Sequence, residues 1–267
     1  MSERVRRFTE GDVDGAAIQV LEADTWDLNK MLSPEHRLAG DSVVTYTYAC
    51  AIVLHRGRRV LVDAGYHAQE VVDALAELGV APGDVDLVLL THGDGDHIVG
   101  LLTDDGALTY PRAEVAMHRD LWEYWTDPEA HKALPDERRR FLKQLIAALA
   151  DRVTLFADET EVTEGILAIP SLGHRHGHSI YQFAASADNH APPVIHSGDS
   201  LFHPLFVEHP EWTDALALDP AEEAASRLRL LDRAAASDAL VLAGHIPFPG
   251  MGRIRAIGEA FRWEPAV

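Results

Sequence analysis

An apolar segment that ends in histidines and aspartates constrains this chain more than any other feature. Residues 89–102 read LLTHGDGDHIVGLL, so His92, Asp94, Asp96 and His97 directly follow a run of aliphatic residues. A short, nearly all-apolar run is typical of a strand that is covered on both faces. Solvated turns more often carry Lys, Ser or Asn, so imidazoles and carboxylates at this strand end indicate a chemical role.

The same pattern, an aliphatic run that ends in a histidine or an aspartate, recurs later in the chain. The aliphatic runs in VIHSGD and DALVLAGH end at Asp199 and His245, and the segment GHRHGH supplies His174, His176 and His178. Strands from different parts of a sheet can deliver side chains to one edge, where the rigid strands fix their positions. The sequence therefore predicts that these groups converge at one edge of a sheet.

Imidazole and carboxylate side chains are the usual ligands of first-row metals, and a catalytic site keeps one position open for water. The first cluster taken alone has two other interpretations, an acidic turn or a loose calcium site. Calcium prefers ligation by oxygen only, and His92 and His97 flank the aspartates. A transition-metal site assembled from distant segments is the favoured interpretation.

No repeat, low-complexity block or linker interrupts the sequence, which predicts a single domain over residues 1–267. Residues 1–42 form either an N-terminal extension or the first strands of that domain. Residues 42–65 predict two strands, and residues 67–80 have helical apolar spacing. A later helix is predicted to begin at Pro220, with Asp219 as its N-cap.

The composition disfavours several classes of partner. The net charge is −20, from 23 basic and 43 acidic residues, so nucleic acid and anionic membranes are poor partners. Nothing approaches the roughly 18 consecutive apolar residues of a membrane span. The N-terminal residues lack the apolar segment of a secretory signal, and the single Cys50, predicted to be buried, excludes an internal disulfide. We therefore expect a cytoplasmic protein.

The segment THGDGDH resembles the His-x-His-x-Asp-His signature of the metallo-β-lactamase superfamily. The similarity continues in order through LVDAG before it and GHRHGH, GD and GH after it. Within the superfamily the chain looks most like the methyl parathion hydrolases, relatives of the quorum-quenching lactonases. The C-terminal HIPFPGMGRIRAIGEAFRWEP and the internal EYWTD and RRRFLKQ carry that finer resemblance, which extends from about residue 43 onward. It implies an α/β fold, an αββα sandwich with a two-metal cleft at the sheet edges.

The resemblance also implies a role for each motif residue. One divalent cation would be bound by His92, Asp94 and His174, the other by Asp96, His97 and His245, with Asp199 bridging the two. Asp96 and Asp199 are the expected catalytic residues, since they hold the cations and orient the nucleophile. Asp63 and His178 match positions that support the ligands without touching a metal.

Asp94 departs from the family pattern, which has histidine at this position. Two divalent cations carry four positive charges, whereas Asp94, Asp96, Asp199 and a hydroxide carry four negative charges, so the centre would be about neutral. A less positive centre is a weaker Lewis acid. The resemblance implies zinc, but the added carboxylate makes manganese or iron alternative occupants. Flavodiiron proteins of the same superfamily carry Glu at this position and bind iron.

His176 is a second departure. One hypothesis is that its imidazole repairs the altered metal site or carries protons. The favoured interpretation is an exposed loop histidine, because no spacing rule demands a ligand at this position.

Three aromatic residues are candidates for the substrate pocket. By similarity, Trp125 and Phe141 match residues that line the leaving-group pocket of the methyl parathion hydrolases. Phe248 lies in the loop that follows His245, where it can contact substrate. Packing in the core is an equally good interpretation of all three.

The predicted activity is hydrolysis of a small ester, lactone or phosphotriester by a hydroxide that bridges the two metals. A β-lactamase would show a signal peptide, glyoxalase II an added helical domain, and ribonuclease Z relatives an affinity for nucleic acid. Two alternatives stay open: a di-iron oxygen-binding or redox protein, and a non-catalytic metal-binding relative. The expected partner is a small-molecule substrate, and a homodimer is a candidate assembly because dimers are common among relatives.

Overall fold

The computed structural model describes residues 2–186 and 190–266, which form two seven-stranded sheets. The strands of the first sheet follow chain order: β1 (Val5–Glu10), β2 (Val13–Asp27), β3 (Val43–His55), β4 (Arg58–Val62), β5 (Leu87–Leu89), β6 (Glu114–His118) and β7 (Val153–Phe156). Strands β1 to β4 pair antiparallel, whereas β4 to β7 run parallel.

The second sheet contains the C-terminal strands: β8 (Thr160–Thr163), β9 (Ile166–Pro170), β10 (Ser179–Phe183), β11 (Val194–His196), β12 (Leu240–Leu242), β13 (Met251–Ile257) and β14 (Ala260–Pro265). Its spatial order is β14-β13-β12-β11-β10-β9-β8. Only the β11–β12 pair is parallel among these described strands. Each sheet therefore contains a parallel pair whose carboxyl ends lie at one edge.

Helices cover the outer face of each sheet. They are α1 (Ala68–Glu77), α2 (Gly95–Ile98), α3 (Arg119–Thr126), α4 (Asp136–Leu149), α5 (Leu205–Glu208) and α6 (Pro220–Ser237). Apolar side chains of α1, α3 and α4 pack on the first sheet, and those of α6 pack on the second. A third apolar layer fills the space between the sheets. This is the predicted αββα sandwich.

Local signals placed several elements correctly. The Asp219 side chain accepts a hydrogen bond from Glu222 N at 3.1 Å, and Pro220 is the first residue of α6. The N-terminal residues include β1 and β2, and β2 pairs with β3 along most of its length. Cys50 is buried in the core, as predicted.

A short helix begins inside the first His/Asp cluster. It is α2, which spans Gly95–Ile98, and a 3-10 turn follows it. Asp94 has extended backbone dihedrals at the N-cap position, so the helix starts inside the motif. As a result, Asp96 and His97 lie in its first turn.

The described helices include no segment that is both long enough and apolar enough to cross a lipid bilayer.

Candidate metal centre

The carboxylate of Asp199 lies between two pairs of histidines. Its Oδ2 is 3.5 Å from Nε2 of His92 and 3.4 Å from Nε2 of His174. Its Oδ1 is 3.2 Å from Nε2 of both His97 and His245. His245 Nε2 is also 3.2 Å from Oδ2, so the two oxygens together face two pairs of imidazole nitrogens, with His245 close to both oxygens.

Asp96 completes the second group of donors. Its Oδ2 lies 3.4 Å from His97 Nε2 and 3.7 Å from His245 Nε2. We call the group His92, His174 and Asp199 the first metal position, and the group Asp96, His97 and His245 the second. Ligand atoms around one tetrahedral zinc ion, at bond lengths near 2 Å, are about 3.3 Å apart. The donor separations fit that value.

Hydrogen bonds orient the histidines of the second position. His97 Nδ1 donates to Asp63 Oδ2 at 2.8 Å, and His245 Nδ1 donates to the carbonyl of Thr47 at 2.8 Å. Because each Nδ1 is the donor, each Nε2 presents a lone pair to the cleft.

The histidines of the first position are fixed in the same way. His92 Nδ1 lies 3.0 Å from the hydroxyl of Thr91, and His174 Nδ1 lies 3.2 Å from Oε1 of Glu223. The Thr91 hydroxyl itself donates to Asp63 at 2.8 Å, so it accepts from His92. All four histidines thus direct Nε2 toward Asp199.

Asp63 lies directly after β4 with a left-handed backbone, φ +60°. This conformation costs a non-glycine residue about 1–3 kcal/mol. Its Oδ1 accepts from the backbone N–H of Thr91 at 2.9 Å, while Oδ2 accepts from the Thr91 hydroxyl and from His97. The strained turn therefore ties the end of β4 to the loop that holds the donors, in the supporting position inferred for Asp63.

His178 supports Asp199 through the backbone. Its Nε2 accepts from the N–H of Asp199 at 2.9 Å, and its Nδ1 donates to the carbonyl of Ser171 at 2.8 Å. With both nitrogens occupied, His178 has no lone pair for a cation. Gly198 allows this contact: its φ is +48°, and a Cβ there would lie 2.6 Å from His178 Nε2.

Unpaired polar atoms at the centre fit a pair of cations. Buried atoms with no hydrogen-bond partner among the described residues include Nε2 of His92, His97 and His174 and Oδ1 of Asp199. Leaving such groups buried and unpaired costs about 1–3 kcal/mol each. Their convergence on one point is what a metal site requires.

The electrostatics of the cluster also fit added positive charge. Burial disfavours a charged imidazole, but Asp199 and Glu223 outweigh it and raise the pKa of His174 to about 9. Burial opposes charge on His245 too, yet Asp199 raises the pKa of this imidazole. Burial disfavours the Asp199 carboxylate, whereas the surrounding histidines hold its pKa well below the ordinary value. The carboxylates thus favour positive charge at the point where bound cations would place theirs.

Asp94 lies at the rim of the first position. Its Oδ2 is 3.7 Å from His92 Nε2 and 4.0 Å from His174 Nε2, farther than the Asp199 oxygen. Arg175 Nε donates to Asp94 Oδ2 at 2.8 Å and to Oδ1 at 3.1 Å. Sequence reasoning missed Arg175, although it directly follows His174. The sequence alone predicted a metal centre of about zero net charge. Because the Arg175 guanidinium cancels the charge of Asp94, the centre is more positive than predicted.

His176 does not join the donors. Its side chain is exposed and stacks on Tyr124, with ring centroids 4.2 Å apart. Neither group of metal donors includes this residue among those described. The position agrees with the interpretation of an exposed loop histidine.

A cavity of about 390 Å³ opens above the donors. Asp94, Asp96, Asp199 and His245 form its floor. Most of its wall is apolar or aromatic and comes from Leu21, Trp26, Met31, Tyr46, Tyr48, Tyr66, Phe202 and Leu216. Tyr46 stacks on the imidazole of His245 with centroids 4.4 Å apart. The wall therefore extends to the donors themselves.

The three aromatic residues predicted to line the pocket lie elsewhere. Trp125 is 1% exposed and packs in the helical layer on the first sheet, where a Cβ on Gly93 would lie 3.0 Å from its Nε1. Phe141 packs in the same layer, and Phe248 packs against the core between the sheets. None of them lines the cavity over the donors. In this structure all three side chains pack in apolar layers, and their contact with substrate stays a prediction.

The wall residues that sequence reasoning missed come mainly from the first strands. Trp26 ends β2, Tyr46 and Tyr48 lie on β3, and Met31 follows a short 3-10 turn. Their only sequence signal was an aromatic-rich stretch without ligand residues. Their exposure to the cavity depends on how β2 and β3 curve around the metal centre.

A buried ion pair behind the first position was also missed. Glu223, on α6, is 2% exposed and lies 3.2 Å from Arg227, which is fully buried. Arg227 also donates to the carbonyl of Ser200 at 3.0 Å. The pair connects α6 to the segment that follows Asp199 and fixes the carboxylate that orients His174.

The fold and the donor set together define an αββα protein with a binuclear divalent-metal site. The family profile of the metallo-beta-lactamase superfamily matches residues 44–245, well over half of the chain. The chain belongs to the metallo-β-lactamase superfamily. This membership confirms the predicted fold and the predicted enzyme class, a metal-dependent hydrolase. No curated protein matches the chain significantly.

Solved structures share the fold at low sequence identity. AidC, a dizinc quorum-quenching lactonase in complex with the product N-hexanoyl-L-homoserine, is 17% identical with a TM-score of 0.83, covering 98% of this chain and 97% of AidC. The hydrolase AbOPH of the beta lactamase superfamily is 22% identical with a TM-score of 0.83, covering 100% and 99%. A variant of AiiA from B. thuringiensis with N-decanoyl-L-homoserine bound at the active site is 17% identical with a TM-score of 0.66, covering 90% and 95%. At these identities the likeness establishes the fold alone.

Proposed function

We propose that this protein hydrolyses a small, neutral lactone or ester that carries an apolar substituent. The observation that carries the proposal is the position of Asp199, whose two oxygens face two histidine pairs beneath a cavity of about 390 Å³ with a largely apolar wall. Ligand pockets of this kind combine an apolar lining with a few convergent polar groups.

Some residues of the site would hold the cations, and others would orient the reactants. His92, His174 and Asp199 would hold one divalent cation, and Asp96, His97 and His245 the other. Bound cations would supply a hydroxide nucleophile and polarise the scissile carbonyl. The carboxylate of Asp96 lines the cavity, where it would accept a hydrogen bond from the attacking water. Asp199 is held by His178 and by the donor histidines, and it would keep the donors of both metal positions at fixed relative distances.

The apolar wall supports a substrate with an acyl chain or aromatic group. Trp26, Tyr46 and Phe202 present rings to the cavity, and burial of apolar substrate surface against them contributes about 25 cal/mol per Å². Most of the wall offers no charged partner to an anionic substituent, and a chain of net charge −20 would repel it at long range. These features favour a neutral substrate.

A lactone is the first candidate, because AidC and AiiA share the fold and both bind N-acyl homoserines. A phosphotriester is the second, on the resemblance of the C-terminal segment to the methyl parathion hydrolases. We propose zinc as the resident metal, since neutralisation of Asp94 by Arg175 removes the reason to prefer a harder ion.

The test is a substrate panel on the purified full chain, with metal content measured in the same preparation. N-acyl homoserine lactones of increasing chain length, an aryl ester and a phosphotriester would be compared after loading with zinc. We expect lactone hydrolysis, with kcat/KM rising with chain length. Trp26→Ala should lower kcat/KM for the long-chain lactone more than for the short one. Trp122→Ala, in the helical layer away from the cavity, is the matched control.

Three outcomes would contradict the proposal. Two bound zinc ions with no turnover across the panel would remove the hydrolase assignment for these substrates. A coloured, iron-loaded protein with inert ester kinetics would favour the di-iron redox alternative. Substoichiometric metal together with no turnover would favour a non-catalytic relative.

A further inference from the structure

The ion pair between Asp94 and Arg175 lies where the family has a single neutral imidazole. Two contacts of the Arg175 Nε, at 2.8 and 3.1 Å, reach both oxygens of Asp94. The same Asp94 Oδ2 lies 3.7 Å from His92 Nε2. The carboxylate is therefore positioned between a cation of the protein and the donors of the first metal position.

The guanidinium is itself held by the protein. A second nitrogen of the guanidinium, Nη1, donates to the carbonyl of His174 and to the carbonyl of Leu216, both at 2.9 Å. The Arg175 side chain is 26% exposed and that of Asp94 is 36% exposed. A planar guanidinium with several fixed acceptors loses little freedom when it pairs with a carboxylate. Arg175 thus joins three segments around the first position.

The charges decide what this pairing does. An unpaired Asp94 would add a full negative charge to the first position and offer it a hard oxygen ligand. Asp94 and Arg175 as a pair carry no net charge, and in this respect they resemble a neutral imidazole. The electron density that Asp94 could donate to a cation is also shared with the guanidinium.

We propose that Asp94 and Arg175 act as one neutral unit in place of the imidazole, with Arg175 as a positioning residue that sets the metal preference of the first position. The inference rests on the proposed two-metal site. It predicts that Arg175 keeps the first position selective for zinc over manganese. Without the guanidinium, Asp94 becomes a free anionic oxygen ligand, which favours the harder ion.

The experiment measures metal affinity on the metal-free full chain, by competition with a chromophoric chelator. Two stepwise constants would be obtained for Zn²⁺ and for Mn²⁺, and the constant that His174→Ala removes identifies the first position. Arg175→Gln should raise the manganese-to-zinc affinity ratio at that position about tenfold, the scale of effects from groups behind metal ligands. The ratio is the readout because a merely loosened loop would lower both affinities together.

A double-mutant cycle tests the pairing directly. Asp94→His leaves the guanidinium unpaired beside the cation and should weaken zinc binding at the first position about tenfold. Asp94→His combined with Arg175→Gln should recover zinc affinity to within about threefold of the original chain, since the non-additivity of coupled residues reports their interaction. Arg175→Lys keeps the charge and remains informative if Arg175→Gln fails to fold, and it should hold the ratio near the original value.

Arg138→Gln is the matched control. Arg138 is a nearby half-buried arginine that donates to the carbonyl of Gly93 and forms no ion pair with Asp94. Its removal should leave the ratio nearly unchanged. The inference would be overturned if Arg175→Gln and the original chain had the same manganese-to-zinc affinity ratio. It would also be overturned if the effects in the double-mutant cycle were additive. Both results would leave the hydrolase proposal intact. A shifted ratio in a protein that hydrolyses none of the substrates would overturn the hydrolase proposal alone.

Discussion

The two metal positions use the same kinds of donors but are supported by different electrostatics. At the second position, Asp96 lines the cavity and Asp63 lies behind His97, and neither pairs with an arginine or lysine among the described residues. At the first position two supporting carboxylates face an arginine: Asp94 faces Arg175, and Glu223 faces Arg227. A third, Asp214, lies 4.0 Å from His174 Nδ1 and has no arginine or lysine partner among the described residues.

This difference has a direct consequence for metal binding. Carboxylates without a cationic partner leave the second position more negative than the first, and a divalent cation is attracted accordingly. The two positions should therefore fill in order, the second before the first. A shared bridging carboxylate does not make two metal sites equivalent, because the groups behind the donors set the local charge.

The largest effect is expected where the two positions meet. Asp199→Ala removes the only described carboxylate that faces both histidine pairs. We expect loss of both metals and a fall in kcat of about a hundredfold to a thousandfold, the scale seen when a central electrostatic group is removed. Metal analysis and steady-state kinetics measure this. Retention of two metals by the variant would show that the bridge does not unite the positions.

The next pair of variants tests each position through the group behind it. Asp63→Asn should weaken the second position about 10–100-fold. Asp63 accepts three hydrogen bonds through its two oxygens, and the amide nitrogen that replaces one oxygen cannot accept. Glu223→Gln should weaken the first position by a similar factor. Stepwise binding constants separate the effects. A loss at the same position in both variants would contradict the division into two independently supported sites.

The pH dependence tests the protonation of the donor histidines. Burial opposes charge on His97 and His245 at the second position, but nearby carboxylates, Asp199 foremost, raise the pKa of both, and His174 is the corresponding group at the first position. The pKa of His174 is about 9 in the metal-free protein, above its ordinary value near 6.5. The charged imidazole therefore stabilises the metal-free fold below about pH 6.5, and this contribution disappears as pH rises through about 9. A cation must displace the proton, so affinity should rise about tenfold per pH unit between these values.

Calorimetric titration with zinc, in buffers that differ in ionisation enthalpy, measures the protons released. At pH 7.5 filling of the first position should release at least a substantial fraction of one proton. Heat that is independent of the buffer would show that His174 is neutral before the metal binds.

The smallest effect is expected at His176. Because this side chain is exposed and stacks on Tyr124, His176→Ala should change the affinity of the first position by no more than about twofold, as for most surface substitutions. His174→Ala is the contrasting variant, since it removes a donor. A tenfold loss of metal affinity at the first position in His176→Ala would indicate that His176 is a metal ligand.

Local sequence signals predicted the site better than the pocket. Ligand residues such as His92 and His245 follow short aliphatic strands, and strand direction brings such ends to one edge. Wall residues such as Trp26 and Tyr46 carry no comparable signal, because an aromatic on a strand serves a core or a cavity equally well. Trp125 illustrates this ambiguity: its helix directs the ring into the core beneath Gly93.

The sequence by itself determined the donor types and the strand ends that bear them, since these depend on residue chemistry and short-range periodicity. The αββα architecture was implied by the resemblance to the metallo-β-lactamase superfamily. Only the tertiary structure decided that Arg175 meets Asp94 across 81 residues of chain, and that Glu223 reaches His174 from α6. Such contacts depend on how loops from separate elements pack against each other. A Coulombic interaction at 3 Å is decisive inside a low-dielectric cleft, and no local pattern in the sequence records that distance.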